Sequence, residues 1–399
     1  MSEVVHASAG MVAPTFVEVP AISKSIAVPK PPVTPSVNVR TLSLRDFNNL
    51  ETRPQFLRDM RDSLMRIGTF YIKDHGISTE MTSDAMKTVR EYFSLPVEEK
   101  KKMHIVHSRH FRGYKLMGEE FTNNQIDHRE QLQFAPEQSP VESFRPSISP
   151  DYEGLQGPNQ WPASTLKLLP HFKPCILEFM DQLEILSQTL MEAVALSLGL
   201  SGSYFHDLFG KSPYYRLKCA KYPSVNKASV GCGAHKDTGF LTVLLQDMVG
   251  GLQGQDPVTG QWMDTKPIPE TFIVTMGEAV EKLTGGLYNA TVHRVMNNTS
   301  GKDRYSIPFF YDPTLDARIP FKIENLATSA SLDFEAMVTE SSCTKADDKM
   351  EQLVHGLGIT NLEPTRSSSQ EGWSSGAHVF ETVHRCHPEV YSRWYSRDY

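Results

Sequence analysis

The sequence predicts a mainly β fold with flanking helices, a sandwich or barrel of strands wrapped by helices, on three observations. Helical periodicity marks residues 53–67, 78–93 and 171–199. From about residue 214 the apolar period changes to two, over stretches rich in β-branched and aromatic residues. Gly-Gly, Asp-Pro and Asn-Asn clusters separate those stretches, as turns between short strands do.

Residues 1–37 carry Pro14, Pro20, Pro29, Pro31, Pro32 and Pro35 and read as a Pro-rich tail, because this composition favours extended chain over packed helix. An N-terminal region over 38–170 follows. Thr52 and Gln55 form a capping-box pattern, and Phe56, Met60, Leu64 and Ile67 recur at helical spacing until Gly68, so a helix is predicted over 53–67. Thr69–Ile72 reads as a strand, Asp74-His-Gly76 as a turn, and 78–93 as a second helix carried by Met81, Ala85, Val89 and Phe93. Ile176, Met180, Leu183, Leu190, Val194 and Leu198 keep one apolar face over 171–199, a helix long enough to back a sheet. The strand candidates are 214–222, 239–246, 270–276, 288–296 and 304–312, within a core region over 171–325. Residues 326–376, Ser- and Thr-rich around a short helical face at Met350, Leu353, Val354 and Leu357, read as an inserted flap, and 377–399 as a C-terminal helix.

Composition excludes several function classes. Forty basic residues stand against 47 acidic ones with no basic stripe, so nucleic acid is not an expected partner. No apolar run approaches the roughly 18 residues that span a bilayer, and no secretory pattern opens the chain, so no membrane association is expected. Five scattered cysteines without Cys-x-x-Cys spacing fit free thiols in a reducing compartment, and cytoplasmic localisation is the expectation.

The chemistry concentrates at His235-Lys-Asp237 and His293. On a strand, residues i and i+2 share a face, so His235 and Asp237 can reach one ion, and His293 in the strand-like Thr291–Val295 can come from a neighbouring strand. Two imidazoles and a carboxylate on one face of an octahedral ion leave three positions open, the arrangement of non-haem iron(II) sites that handle oxygen. A chain with 14 histidines will contain a His-x-Asp by chance. The glycines at 231, 233 and 239, which suit a tight delivery of His235 to a strand lip, and the ordered residues behind it argue against chance. Those residues are Arg304 and Ser306, an i, i+2 pair in which guanidinium and hydroxyl can clamp a carboxylate, each charge-assisted bond contributing on the order of 1.5 to 3 kcal/mol. Tyr222 and Lys218, on one face of Lys218–Tyr222, are candidates to join them.

Together these residues resemble the isopenicillin N synthase-like branch of the iron(II)/2-oxoglutarate-dependent oxygenases over about residues 38–325. The resemblance rests on Gly68–Gly76, Arg112-Gly-Tyr114, Asp127-His-Arg-Glu130, Trp161-Pro162, Lys221-Tyr-Pro223, Ala234–Gly239, Gly250–Gln253, Val292–Val295, Arg304–Phe310 and the closing Arg385-Cys-His-Pro388. It implies a double-stranded β-helix, a cupin-like jelly roll, braced by the long helix. It also implies iron(II) on His235, Asp237 and His293 as catalytic centre, and 2-oxoglutarate with its distal carboxylate on Arg304, Ser306, Tyr222 and Lys218. Dioxygen would be the co-substrate and ascorbate the reductant in vitro. Phe111, Arg112, Tyr114, Gln131, Gln133 and Phe310 are the implied substrate-facing residues. The expected activity is hydroxylation, desaturation or oxidative cyclisation of a small molecule in secondary metabolism, by a monomer or weak homodimer. The branch's namesake keeps an Arg-x-Ser pair yet uses no 2-oxoglutarate, so an oxidase of that kind is one alternative, and a non-catalytic ligand-binding jelly roll is another. His75, His355 and His387 are expected to be structural, as are Cys219 and Cys232 beside the metal strands.

Overall fold

The computed structural model describes residues 39–122, 125–146, 148–227, 229–324, 326 and 372–396. The proline-rich segment and most of the flap, including the helical face at 350–357, His355 and Cys343, lie outside the described residues.

Two sheets face each other. The larger has eight strands in the order Thr41–Ser43, Thr69–Lys73, Phe272–Met276, Leu241–Gln246, Arg304–Asp312, Tyr214–Tyr222, Glu130–Phe134 and Gly113–Lys115. The smaller has four, Trp262–Asp264, Leu252–Gln255, His293–Met296 and Val230–His235. Apart from the parallel pairing of Thr41–Ser43 with Thr69–Lys73, the pairings are antiparallel. Four strands of the big sheet come from the N-terminal region, so residues 38–170 extend the sheet of the core region instead of forming a layer of their own.

The helix Phe172–Ser197 lies behind the large sheet and buries Ile176, Met180, Leu183, Leu190 and Val194 against it and against the helices Arg53–Arg66 and Thr79–Ser94. Burying each such side chain stabilises the fold by about 1.5 to 3 kcal/mol. Gly68 ends the helix Arg53–Arg66 as expected: its φ is +86°, its N–H returns to the Ser63 carbonyl, and a side chain there would meet the Asn289 carbonyl. The start of that helix corrects the sequence reading. Thr52 makes no cap bond, its hydroxyl donating to the Asp46 carbonyl, while Gln55 turns to Asp59. Asp59 and Asp46 simply offer better-placed acceptors than the helix's own first turn.

Four other expectations need adjustment. The strand expected over 288–296 begins only at His293, because the Tyr288 ring and the Asn289 amide are drawn into the helical layer at Ser197 and Met65. Strand Val230–His235 ends at its histidine, so Asp237 stands just past the strand and not in phase along it. The expected flap boundary at 376 cuts into structure: Gly372–Ser374 pairs with Arg318–Pro320, and Ser374 caps a helix Ser375–Cys386 through the Ala377 N–H. His387 then breaks the C-terminal helix in two, with Pro388–Trp394 as the second piece. Among the described residues no helix is long and apolar enough to cross a membrane.

Candidate active site

Strand pairing builds the site. His293 and His235 are directly opposite partners in the small sheet, so the first residue of one strand and the last of the other project from the same lip. Asp237 follows where the chain turns over toward the large sheet, and Glu278 N–H and Gly277 N–H fix that crossing on the Asp237 and Phe240 carbonyls. As a result Asp237 Oδ1 lies 3.8 Å from His235 Nε2 and 3.7 Å from His293 Nε2. The donor atoms of the three all fall within 4.8 Å of one another, a group that could hold a metal ion.

Hydrogen bonds outside the triad aim it. His235 Nδ1 lies 2.8 Å from the Gly233 carbonyl and His293 Nδ1 3.0 Å from the Thr291 carbonyl; a carbonyl only accepts, so each Nδ1 carries the proton and each Nε2 presents a lone pair. Thr242 Oγ1 donates to Asp237 Oδ2 at 2.7 Å, leaving Oδ1 toward the histidines. Burial and the adjacent His235 push His293 below the usual imidazole range, keeping it neutral. Burial opposes ionisation of Asp237, but His293, His235 and the Thr242 hydroxyl outweigh it and hold the carboxyl below the usual carboxylate range. Two neutral nitrogens and one carboxylate are the protonation states a divalent ion needs.

A cavity of about 790 Å³ runs from the triad into the barrel, with walls of Leu244, Leu252, Ile273 and Val295 and with Arg304, Ser306 and Tyr222 among its polar lining. Arg304 is 1% exposed. Its guanidinium donates to Ser306 Oγ and Gln246 Oε1, both at 3.1 Å, and sits 5.0 Å from the Tyr222 ring centroid. Among the described residues its Nε has no partner and no acid bonds to it, and burial depresses its affinity for its own proton. A buried cation to which no acid bonds among the described residues can receive an anion. The donor set at one end and this guanidinium within the same cavity fit iron(II) and a dicarboxylate.

A second, open cavity of about 1510 Å³ lies on the other side of the triad. Arg129, His235, Asp237 and Phe310 line both. Of the six residues expected to face substrate, Phe310 lines these two cavities. Phe111 is packed in the core against Phe380 and Tyr395. Arg112 caps three main-chain carbonyls, of Pro136, Leu155 and Gly157; Tyr114 donates to Glu130; Gln133 donates to the Phe111 carbonyl. Gln131 is buried opposite Ala220 and lines neither cavity. Main-chain acceptors hold Arg112 and Gln133, the Glu130 carboxylate holds Tyr114, and aromatic packing holds Phe111 away from the cavity.

Lys218 is also displaced from its expected place. It shares the strand face of Tyr222, yet the pair is separated by four residues, about 13 Å of strand, and Lys218 Nζ pairs with Glu120 at 3.1 Å in the second cavity. Its nearest acid claims it before Arg304's neighbourhood can. Gln246 and Arg129 were missed. Gln246 could have been found as the last residue of a strand that runs beside Arg304–Asp312, facing Ser306. Arg129 stood in the quoted Asp127–Glu130 motif; it is held by Asp127 at 2.9 Å and Glu120 at 3.3 Å and donates to the Tyr222 hydroxyl at 3.1 Å. His75 packs edge-on to Phe272, and His387 is fully buried beside Lys115, both away from the triad.

The chain is similar to known proteins. Residues 37–164 match the family model described as the N-terminal part of the non-haem dioxygenase in morphine synthesis, and residues 213–313 match that of the 2OG-Fe(II) oxygenase superfamily. A 2-oxoglutarate-dependent dioxygenase, frbJ, of Dothideomycetidae sp. (strain 11243) is 32% identical over 90% of this chain and 92% of its own length. A 1-aminocyclopropane-1-carboxylate oxidase of Dictyostelium mucoroides is 32% identical over 70% of this chain and 82% of its own. Among solved structures, a 2OG-Fe(II) oxygenase family protein of Caulobacter crescentus superposes with a TM-score of 0.62 at 26% identity, covering 81% of this chain and 100% of that one. A full-length Neurospora crassa protein in complex with alpha-KG and 5-formyluracil shares the fold, with a TM-score of 0.65 at 23% identity over 86% of this chain and 94% of that one.

Proposed function

Because the chain belongs to the 2OG-Fe(II) oxygenase superfamily and is an iron(II)- and 2-oxoglutarate-dependent dioxygenase, we propose that His235, Asp237 and His293 are its iron ligands. We assign Arg304, Ser306 and Tyr222 to the distal carboxylate of 2-oxoglutarate, and the second cavity to a small-molecule substrate of secondary metabolism that is hydroxylated, desaturated or cyclised. The free thiols at Cys175, Cys219, Cys232 and Cys386 are compatible with the cytoplasm, where we place the enzyme, as a monomer or weak dimer.

Iron and 2-oxoglutarate held there would let dioxygen oxidise a substrate C–H bond, with 2-oxoglutarate oxidised alongside to succinate and carbon dioxide. The chain's own residues do the rest. The Gly233 and Thr291 carbonyls fix the tautomers of His235 and His293, and Thr242 fixes the rotation of Asp237. Arg304 anchors the far end of the cosubstrate, so that its keto-acid end is left at the triad. The aliphatic walls between them exclude water from that path.

The observation that carries this reading is Arg304, a buried guanidinium with no acid bonded to it, in one cavity with a His-Asp-His group. Anaerobic addition of iron(II) and then 2-oxoglutarate tests it. The chelate is expected to give a weak visible charge-transfer band, lost in Arg304→Ala at the same 2-oxoglutarate concentration. No band in iron-replete wild type overturns the reading.

A further inference from the structure

We infer that the open cavity ahead of the triad takes a substrate bearing a carboxylate, and that Arg216 is the residue that receives it. This rests on the reading of the triad and cosubstrate pocket given above, and extends it to the substrate.

Strand Tyr214–Tyr222 sends Arg216, Lys218, Ala220 and Tyr222 to one face. Tyr222 lies at the cosubstrate end; Arg216, opposite Phe310 in the neighbouring strand, lies at the other. Phe310 lines both cavities, as His235 and Asp237 do, so Arg216 stands beside the reacting centre and not at the rim. Its guanidinium carbon is 5.2 Å from the Phe310 ring centroid, with Lys218 Nζ 6.0 Å from the same ring.

Arg216 is 5% exposed, yet among the described residues it makes no hydrogen bond, and its Nε is buried without a partner. Its nearest acid is Asp312, at 3.7 Å. A strut that existed only to brace Asp312 would be hydrogen-bonded, as Arg90 is to Asp247 at 2.9 Å. Asp312 spends one oxygen on the Phe240 N–H and leaves the other without a partner. It therefore offsets Arg216's charge while leaving its donors free. Most other charges of the cavity are engaged: Glu120 by Lys218 and Arg129, and Lys236 by Glu281 at 2.6 Å. Exposed Arg385 and half-buried Glu278 are unpaired among the described residues, and both stand nearer solvent than Arg216. A buried planar fork with unspent donors, facing a cavity, matches a carboxylate in a way that a neutral amide or hydroxyl does not.

The test uses the full chain loaded with zinc(II) and saturating 2-oxoglutarate, and ligand-observed NMR. A panel of straight-chain monocarboxylates from propionate to octanoate, together with phenylacetate and 3-phenylpropionate, is compared with the matching primary amides. At least one acid should bind tenfold or more tightly than its amide, and Arg216→Gln should remove that preference while the iron(II)/2-oxoglutarate charge-transfer band keeps its midpoint. Equal binding of acids and amides, or no binding of any acid, overturns the proposal, as does a preference that survives in Arg216→Gln. If that variant does not fold, the wild-type comparison and Arg216→Lys, which keeps the charge but loses the fork and should lose most of the preference, decide. Absence of the charge-transfer band in wild type would instead count against the cosubstrate reading, so the two failures are distinguishable.

Discussion

Asp237 Oδ1 stands 3.7 Å from His293 Nε2, although Asp237 lies just past one strand and His293 opens another, and the two meet only because His293 pairs with His235 across the small sheet. Thr242 and the Thr291 carbonyl hold the far sides of the two groups, so each arrives with its metal-facing atom free.

Asp237→Asn removes the only carboxylate of the set while keeping its volume and its bond to Thr242. Outer partners of a metal site typically contribute about 10- to 100-fold in affinity or activity, and a ligand should contribute at least the upper end of that. Iron retained after gel filtration, measured by a chromogenic chelator, should fall accordingly, with succinate formation abolished. Unaltered iron content would remove Asp237 from the ligand set.

Arg304→Ala should raise the Michaelis constant for 2-oxoglutarate strongly, because losing one partner of a buried charge pair costs roughly 3 to 5 kcal/mol, or about 100-fold and more. Arg304→Lys should recover part of this, since a lysine keeps the charge but loses the two-pronged donor geometry. Titration of the charge-transfer band gives both numbers.

Glu120 accepts from Lys218 and neighbours Arg129; Glu120 and Lys218 are buried and Arg129 is partly so. Burial opposes its ionisation, but Lys218 and Arg129 hold its carboxyl far below the usual range. Glu120→Gln leaves Lys218 uncompensated, at a cost of about 3 to 5 kcal/mol and a fall in Tm on the order of 10 °C. Calorimetry checks this, and Lys218→Met in the same background should restore part of the loss.

Acid should destabilise the fold through buried neutral histidines. His110 Nδ1 donates to the Gly154 carbonyl, and burial, against that bond, pushes its pKa down to about 4 from an ordinary 6.5. His387 is pushed down in the same direction by burial and Lys115. A base whose folded value is depressed takes up its proton more readily when unfolded. The stability each provides is therefore complete above about pH 6.5 and is lost as pH falls toward the folded value, reaching on the order of 3 kcal/mol for His110 near pH 4. Chemical denaturation at pH 7, 6 and 5 should show His110→Gln with a slope shallower by up to about 1.4 kcal/mol per pH unit. An unchanged slope would show that His110 is not the sensitive group.

Much of this was legible in the chain. Strands 214–222 and 304–312 and the long helix stand where period predicts them, because a continuous apolar face over nine or more residues leaves few alternatives. Short strands such as Leu252–Gln255 and Gly113–Lys115 carry too few residues for a period to predict them. The types, order and spacing of His235, Asp237, His293, Arg304 and Ser306 were likewise visible, since metal and carboxylate chemistry restricts which side chains serve.

Tertiary structure alone decided which side chains meet. Alternation tells which residues of a strand share a face, not what lies across from that face, so Lys218 and Tyr222 looked equivalent until Glu120 captured one and Arg304 lay over the other. Phe111, Arg112 and Gln133 looked like cavity residues until main-chain carbonyls and the C-terminal aromatics claimed them. The register of His293 on His235, with Arg216 left among acceptors too distant to satisfy it, is set by the packing of two sheets, and no local stretch of sequence encodes it.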